Sequence, residues 1–208
     1  YSFLIWGAIE LYELTFDPSY LEIASSFSKH TIDHFLDTID GSFYFTADYA
    51  EELLVRSKDV YDGAIPSGNS VSAYNFIRLG RILSEPKYED ISSSLLQRYS
   101  NRLNKSGASQ TMMMKAVDFF KGPSFEVLIF GSMDNKKTKK ILSEVNKTKQ
   151  YNKVVININK KNRAKLSKLM PYINHFPTHD DDPIVYVCEN YSCKLPTSDI
   201  DTIIEMLE

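Results

Sequence analysis

The period of the hydrophobic residues changes at Gly122-Pro123, and this change divides the chain into two kinds of structure. Before it, apolar residues recur at three- and four-residue spacing, which is typical of helices. After it come two continuous apolar runs, FEVLIF at 125–130 and KVVINI at 153–158. Runs of this kind are typical of buried strands in a parallel sheet. The sequence therefore predicts a mainly α fold, with a helical region over residues 1–123 and a small α/β unit over residues 124–208.

Five helices are predicted in the first region, and their polarity differs. Residues 1–14 are apolar on nearly every side, which predicts a helix that is buried all round. Residues 18–35 carry one apolar face, with Asp17 and Pro18 at their start. The fifth helix, which ends at Gly122, again has little polar surface. This alternation of buried and one-sided helices indicates helical hairpins that stand side by side in two layers.

The second region predicts a strand–helix–strand unit. The lysine-rich segment between the two apolar runs predicts a helix with Ile141, Leu142 and Val145 on its inner face. A unit of this length predicts adjacent parallel strands joined by a right-handed crossover. A third strand is expected at 184–188, and two more helices at 161–170 and 198–207. No sequence repeat or low-complexity linker separates the two regions, so we expect them to pack together.

Composition limits the classes of function. The chain has 24 basic and 27 acidic residues, a balance that argues against a dedicated nucleic-acid binder. No apolar run approaches the roughly 20 residues of a membrane span, and the apolar start lacks the basic and small-residue features of a signal peptide. Two cysteines are too few for a disulfide framework, so we expect a cytoplasmic protein. Thirteen Tyr and twelve Phe suit broad packing surfaces or a stacking cleft.

Four motifs occur in one order along the chain: LYELTFD at 11–17, GSFYFT at 41–46, VRSKDVYDGAIPSGNS at 55–70 and VYVCENYSCKLP at 185–196. Together they resemble the C-terminal third of the thioredoxin-domain-containing YyaL family, which includes the spermatogenesis-associated animal members. The resemblance implies a partial (α/α)6 toroid related to six-hairpin glycosidases and sugar 2-epimerases. It also implies an N-terminal thioredoxin-like domain as a partner outside this sequence. Because Tyr1 lies inside a predicted helix without a start signal, we expect a C-terminal fragment of a larger protein.

The loop 55–70 is the predicted ligand site, because hairpin loops of a toroid gather at the mouth where a ligand enters. Asp62 is the candidate catalytic residue, as an acid, a base or an electrostatic stabiliser. Arg56, Ser67 and Asn69 are candidates for binding a sugar-like small molecule. The alternative is structural: Asp62-Gly63 makes a turn, Asn69 caps a helix, and Arg56 pairs with Asp62.

Glycoside hydrolysis normally needs a second carboxylate across the substrate. Asp48, Glu51 and Glu52 lie in the same long loop, but the sequence does not fix their distance from Asp62. From the resemblance and the polar content of the loop, we predict a carbohydrate-binding or carbohydrate-transforming domain within a thioredoxin-fused protein. The alternative function is a non-catalytic scaffold, or a redox-linked interaction module for the thioredoxin-like domain.

Cys188 and Cys193 form the candidate redox pair. We expect free thiols at rest whose Cα atoms lie within about 7 Å, the limit for bridging without backbone movement.

Histidines raise the question of a metal. His30 and His34 stand four apart on one helical face, and His175 and His179 could join the cysteines in a structural zinc site. A catalytic zinc needs at least a third ligand, which the sequence around the first pair does not supply. We predict no metal and no cofactor.

Overall fold

The computed structural model of the chain describes residues 1–177 and 182–208. Five helices form the first part of the chain. Side chains cap the start of two of them: Asp17 accepts a hydrogen bond from the amide of Ser19, and Ser67 accepts one from the amide of Ser70. Phe16 and Ser84, both in the left-handed conformation, end two of the helices. The five helices are α1 (Ser2–Thr15), α2 (Pro18–Phe35), α3 (Gly68–Leu83), α4 (Pro86–Ser106) and α5 (Thr111–Lys121).

Helix α3 lies at the centre of this helical layer. It packs against α1, α4 and α5, and α2 packs against α1. Every residue of α3 except Gly68 is buried. Its polar residues therefore need partners inside the protein, because a buried polar group without a hydrogen bond is costly.

The polarity of two helices differs from the sequence prediction. Helix α1 is not buried on every side: Leu4 and Leu14 are exposed, the latter at 77%. Helix α5 is one-sided, with Met114 exposed and Met113 buried. The apolar pattern predicts which faces favour burial, but burial also requires a neighbouring element, and no described element covers these faces. The helix that is buried all round is instead α3, whose two arginines are paired with carboxylates.

Two arginines on α3 are paired with carboxylates from other elements. Arg78 Nη1 lies 2.6 Å from Glu10 Oε1, and Arg78 Nη2 lies 2.7 Å from Glu13 Oε2. Glu13 also accepts a hydrogen bond from the amide of Val155, at 3.2 Å. Arg81 Nη1 lies 2.8 Å from Glu126 Oε1. Each arginine thus links the central helix to another part of the fold.

A four-stranded mixed sheet follows the helices, in the order β2-β1-β3-β4. Strands β1 and β2 are parallel, with Phe125 opposite Lys153, which confirms the predicted pair. Strand β3 runs antiparallel to β1, with Phe125 opposite Glu189. The apolar runs predicted the strands, but they did not give the direction of the third. The strands are β1 (Phe125–Phe130), β2 (Lys153–Ile158), β3 (Ile184–Glu189) and β4 (Ser192–Cys193).

Three further helices accompany the sheet: α6 (Lys136–Lys147), α7 (Arg163–Leu169) and α8 (Ile200–Glu205). Helix α6 connects β1 to β2 and buries Thr138, Ile141 and Val145, close to the inner face that the sequence predicted. All three lie within the predicted ranges, so the mainly helical fold with a small sheet is confirmed.

One hydrophobic core runs through both regions. It includes Ile9 of α1, Phe76 of α3, Val127 of β1 and Ile156 of β2. Within residues 1–177 and 182–208, each helix is either too short or too polar to cross a membrane.

Replacing Glu13 and Glu10 separately by Ala tests the linkage through Arg78. Glu13 is 19% exposed and Glu10 is 54% exposed. We expect Glu13→Ala to lower the free energy of unfolding by on the order of 2–4 kcal/mol, because Arg78 and the Val155 amide both lose a buried acceptor. We expect Glu10→Ala to cost less, on the order of 1 kcal/mol, because Glu10 is half exposed and water can replace it at the buried Arg78.

Urea unfolding of the two variants and the parent chain measures this difference. If the two variants lose the same free energy of unfolding, Glu13 is not the main partner of Arg78.

Candidate functional site

Asp62 lies in the predicted loop, and backbone amides occupy both of its carboxylate oxygens. Oδ1 accepts a hydrogen bond from the amide of Ser67 at 2.8 Å. Oδ2 accepts from the amides of Met112 and Met113, at 2.9 and 3.2 Å. These two amides belong to the first turn of α5, where a carboxylate is favoured by the unpaired N–H groups and the helix dipole. The geometry therefore favours the structural alternative for Asp62 over the catalytic one.

Ser67 is hydrogen-bonded to Asp62 and precedes α3, and Asn69 is the second residue of that helix. The Ser67 hydroxyl donates to Ser70 Oγ and caps the helix. Asn69 Oδ1 accepts from the amide of Phe43, and Nδ2 donates to the carbonyls of Phe43 and Asp59. The Asn69 amide group thus joins the segment around Phe43 to the loop, and its hydrogen bonds are made within the protein.

Arg56 does not pair with Asp62. Its Nη2 donates to the carbonyl of Thr46 at 2.6 Å, and its guanidinium carbon lies 4.0 Å from the centre of the Tyr44 ring. Lys58 Nζ also lies over the Tyr44 ring, at 4.5 Å, and it pairs with Asp37 and Asp40. Lys58, the amide of Ile39 and the Tyr44 hydroxyl lower the pKa of Asp37 to about 2. These contacts hold the long loop against the end of α2.

An aromatic cleft of about 410 Å³ lies next to this loop. The first residues of α1, the end of α2, the segment 43–45 and the segment 65–69 form its walls. Phe45 is 72% exposed, and Tyr1 and Phe3 are partly exposed as well. Its aromatic lining residues are Tyr1, Phe3, Phe35, Phe43, Tyr44 and Phe45. The abundance of aromatic residues in the sequence thus corresponds, in part, to a cleft where a ring-shaped ligand can stack.

Asp59 is the one carboxylate among the described residues that line this cleft. It is exposed, and its Oδ1 accepts a hydrogen bond from the amide of Tyr61 at 3.1 Å. The other acidic residues of the loop do not line the cleft: Asp48 pairs with His34 at 2.9 Å, and Glu51 and Glu52 are exposed elsewhere. The cleft therefore offers a binding surface with a single acidic group.

The histidine pair of α2 has partners of its own. His30 Nε2 lies 3.1 Å from the Tyr49 hydroxyl, and His34 Nδ1 lies 2.9 Å from Asp48 Oδ1. Over residues 1–177 and 182–208, no group of three or more His, Cys, Asp or Glu side chains is arranged to hold a metal ion. His179, a candidate zinc ligand by its spacing from His175, lies outside the described residues.

Cys188 and Cys193 face each other across the β3–β4 pair and are joined by a disulfide. Their Cα atoms are 3.8 Å apart, within the predicted bridging distance. The expectation of free thiols at rest was wrong for this structure, because the two-residue turn places the sulfur atoms in direct register. The bond also takes both cysteines out of the set of zinc ligands.

A buried charged cluster lies beside the disulfide, around Arg81. Glu126 pairs with Arg81 and accepts a hydrogen bond from the amide of Tyr191 at 3.3 Å. Glu89 Oε1 lies 3.3 Å from Arg81 Nε. Burial raises the pKa of Glu126 to about 7, although Arg81 acts in the opposite direction. Burial and the neighbouring Glu126 also raise the pKa of Tyr172.

Two of the predicted binding residues, Ser67 and Asn69, line the cleft, but its aromatic lining residues and the Arg81 cluster were not predicted. The motif GSFYFT supplies three of the cleft aromatics, so its aromatic triplet was a usable signal. Arg81 and Glu126 are 45 positions apart, and no local pattern connects them.

Comparison with known proteins supports the resemblance to the spermatogenesis-associated proteins. No protein-family model matches the chain. It is 30% identical over 200 residues to spermatogenesis-associated protein 20 of Rattus norvegicus and of Homo sapiens, which covers 96% of this chain and 25% of each relative. An uncharacterized protein of Caenorhabditis elegans is 24% identical over 212 residues, or 99% of this chain and 28% of that protein. The chain therefore spans about a quarter of the length of these curated relatives.

Asp62→Ala and Asp59→Ala form a matched pair that tests the structural role of Asp62. We expect Asp62→Ala to lower the free energy of unfolding by on the order of 3 kcal/mol, because three amides lose a charged acceptor and two of them begin a helix. Asp59→Ala should change it by less than about 0.5 kcal/mol, as exposed substitutions usually do. Thermal and urea unfolding measure both values. A small effect of Asp62→Ala would return this residue to the catalytic candidates.

The raised pKa of Glu126 predicts a pH-dependent stability. The folded chain binds the Glu126 proton more tightly than the unfolded chain does, so this stabilising contribution is complete below pH 4.5 and is lost as the pH rises to about 7. Relative to Glu126→Gln, the parent chain should lose on the order of 1–3 kcal/mol across this window. Urea midpoints of both proteins at the two ends of the window check this. Parallel pH profiles would contradict it.

Proposed function

We propose that this chain is a carbohydrate-binding section of a larger protein and that the aromatic cleft is its sugar site; the homology to spermatogenesis-associated protein 20 supports only the larger protein. The observation that carries the proposal is the exposed aromatic lining, with Phe45 and Phe3 open to solvent beside the carboxylate of Asp59. A sugar ring has an apolar C–H face that packs on aromatic rings, and hydroxyl groups that bind carboxylates. Ligand sites commonly combine such apolar walls with a few polar groups.

Binding is favoured over hydrolysis. Glycoside hydrolysis by paired carboxylates requires two of them, separated by about 5–9.5 Å across the scissile bond. The described residues that line the cleft include one carboxylate, Asp59, and the oxygens of Asp62 are held by backbone amides. Any catalytic partner would therefore come from outside the cleft as described.

The wider assembly follows the family resemblance. We propose that α1–α5 form part of an (α/α) toroid in the larger protein, with the cleft at its mouth. The exposed apolar residues of α1, among them Leu4, Leu11 and Leu14, provide the face on which a further helix would pack. The thioredoxin-like domain is the proposed partner within the same protein, and a sugar-like small molecule is the proposed ligand, without a cofactor.

The binding test uses a panel of neutral trisaccharides of glucose and of N-acetylglucosamine, with isothermal titration calorimetry on the 208-residue chain. We expect at least one trisaccharide to bind and Phe45→Ala to weaken that binding by about 3- to 10-fold, the effect of one lost aromatic contact. Asp59→Asn should also weaken it.

Tyr151→Ala is the matched control, because Tyr151 is 78% exposed and lies outside the cleft. It should leave the affinity unchanged. The proposal fails if no trisaccharide of the panel binds, or if Tyr151→Ala weakens binding as much as Phe45→Ala does.

A further inference from the structure

The β3–β4 hairpin turns through two residues that both have positive φ. Asn190 has φ 51° and Tyr191 has φ 63°. Asn tolerates the left-handed conformation, whereas a bulky residue such as Tyr adopts it only when its surroundings impose it. The strand β4 is only two residues long, so the ladder alone supplies little support. The conformation of Tyr191 therefore depends on the disulfide and on contacts with the rest of the fold.

Contacts with three elements hold the tip of this hairpin. Arg81 Nη2 lies 3.2 Å from Asn190 Oδ1, and the guanidinium carbon of Arg81 lies 5.0 Å from the centre of the Tyr191 ring. The Tyr191 amide donates to Glu126 of β1, and the Tyr191 hydroxyl donates to Glu89 of α4. The tip is thus attached to the central helix and its neighbours, while the disulfide closes the base of the turn.

A cavity of about 310 Å³ opens beside the disulfide. Both cysteines line it, together with Arg81, Glu126 and His175. Cys188 is 2% exposed, whereas Cys193 is exposed. An incoming thiol therefore reaches the sulfur of Cys193 first, and access is one of the factors that decide which sulfur of a disulfide is attacked.

We propose that Cys188–Cys193 is a thiol–disulfide exchange site for an external dithiol, which attacks at Cys193, and that reduction releases the hairpin tip from Arg81. The reductant is a dithiol, because its second thiol resolves the mixed disulfide that the first thiol forms with Cys193. Reduction removes the link across the base of the turn. The left-handed conformation of Tyr191 then rests on the short β3–β4 ladder and on the contacts of Tyr191 with Arg81, Glu126 and Glu89, and the tip becomes free to leave these contacts.

The exchange balances in atoms and electrons. A thiolate of the dithiol attacks Cys193 Sγ, the bond between Cys188 and Cys193 breaks, and Cys188 leaves as a thiolate that takes up a proton. The second sulfur of the dithiol then attacks the first, which closes a disulfide in the dithiol and releases Cys193 as a thiol. Two electrons and two protons pass from the dithiol to the protein.

The first experiment asks whether the bridge is reducible in the folded chain. The oxidised 208-residue chain is incubated with dithiothreitol without denaturant, labelled with a maleimide and analysed by mass spectrometry. We expect two labels per chain and an unchanged far-ultraviolet circular dichroism spectrum. Amide exchange over residues 189–193 should become about 5-fold faster or more after reduction, as expected for the loss of local hydrogen-bonded contacts, while residues 125–130 keep their protection.

The second experiment asks which cysteine sulfur an outside reagent can reach, with oxidised glutathione as the probe for a mixed disulfide at each position. Cys188→Ser retains the exposed cysteine and Cys193→Ser the buried one, so the two variants form a matched pair. In the folded chains, Cys188→Ser should form the mixed disulfide about 10-fold faster or more, because its thiol is accessible. In urea the two rates should converge.

Three outcomes overturn the proposal. Labelling that requires denaturant makes the bridge a purely structural one. Unchanged amide exchange over residues 189–193 after reduction would show that reduction does not release the hairpin tip. Equal rates of mixed-disulfide formation in the two folded variants would show that Cys193 is not the preferred site of attack.

Discussion

Helix α3 carries two guanidinium groups into the interior, and a buried charge is stable only when opposite charges reach it. Glu10 and Glu13 of α1 reach Arg78, and Glu126 of β1 reaches Arg81. These pairs fix the positions of α1 and β1 relative to the central helix. The helical layer and the sheet share one hydrophobic core, and the arginines of a single helix pair with carboxylates from both.

The two ends of α3 support the two candidate sites. Ser67 and Asn69 at its start hold the loop that forms one wall of the aromatic cleft. Arg81 near its end holds the tip of the β3–β4 hairpin. A helix of 16 residues spans about 24 Å, so the sites are well separated and joined by one rigid element. The buried helix α3 thus supports both the aromatic cleft and the hairpin tip, although few of its own residues line either site.

Features set by neighbouring residues were predictable from the sequence, and features set by distant pairs were not. The parallel pair β1–β2 follows from two apolar runs and the helix between them, which are local signals. The cluster of Asp62, Ser67 and Asn69 follows from a turn-rich segment before a helix. The role of Asp62 depends on the amides of Met112 and Met113, which lie 50 and 51 positions away. The burial of α3 likewise depends on carboxylates 45 to 68 positions from its arginines.

The hydrogen bond from Val155 to Glu13 also protects the sheet from other molecules. Strand β2 is at the edge of the sheet, and an edge strand with unpaired amides can recruit a strand from another chain. At this edge a carboxylate from α1 occupies the amide of Val155 and places a charge where an incoming backbone would have to lie. Glu13, which pairs with the buried Arg78, therefore also blocks edge-to-edge pairing of β2 with another chain.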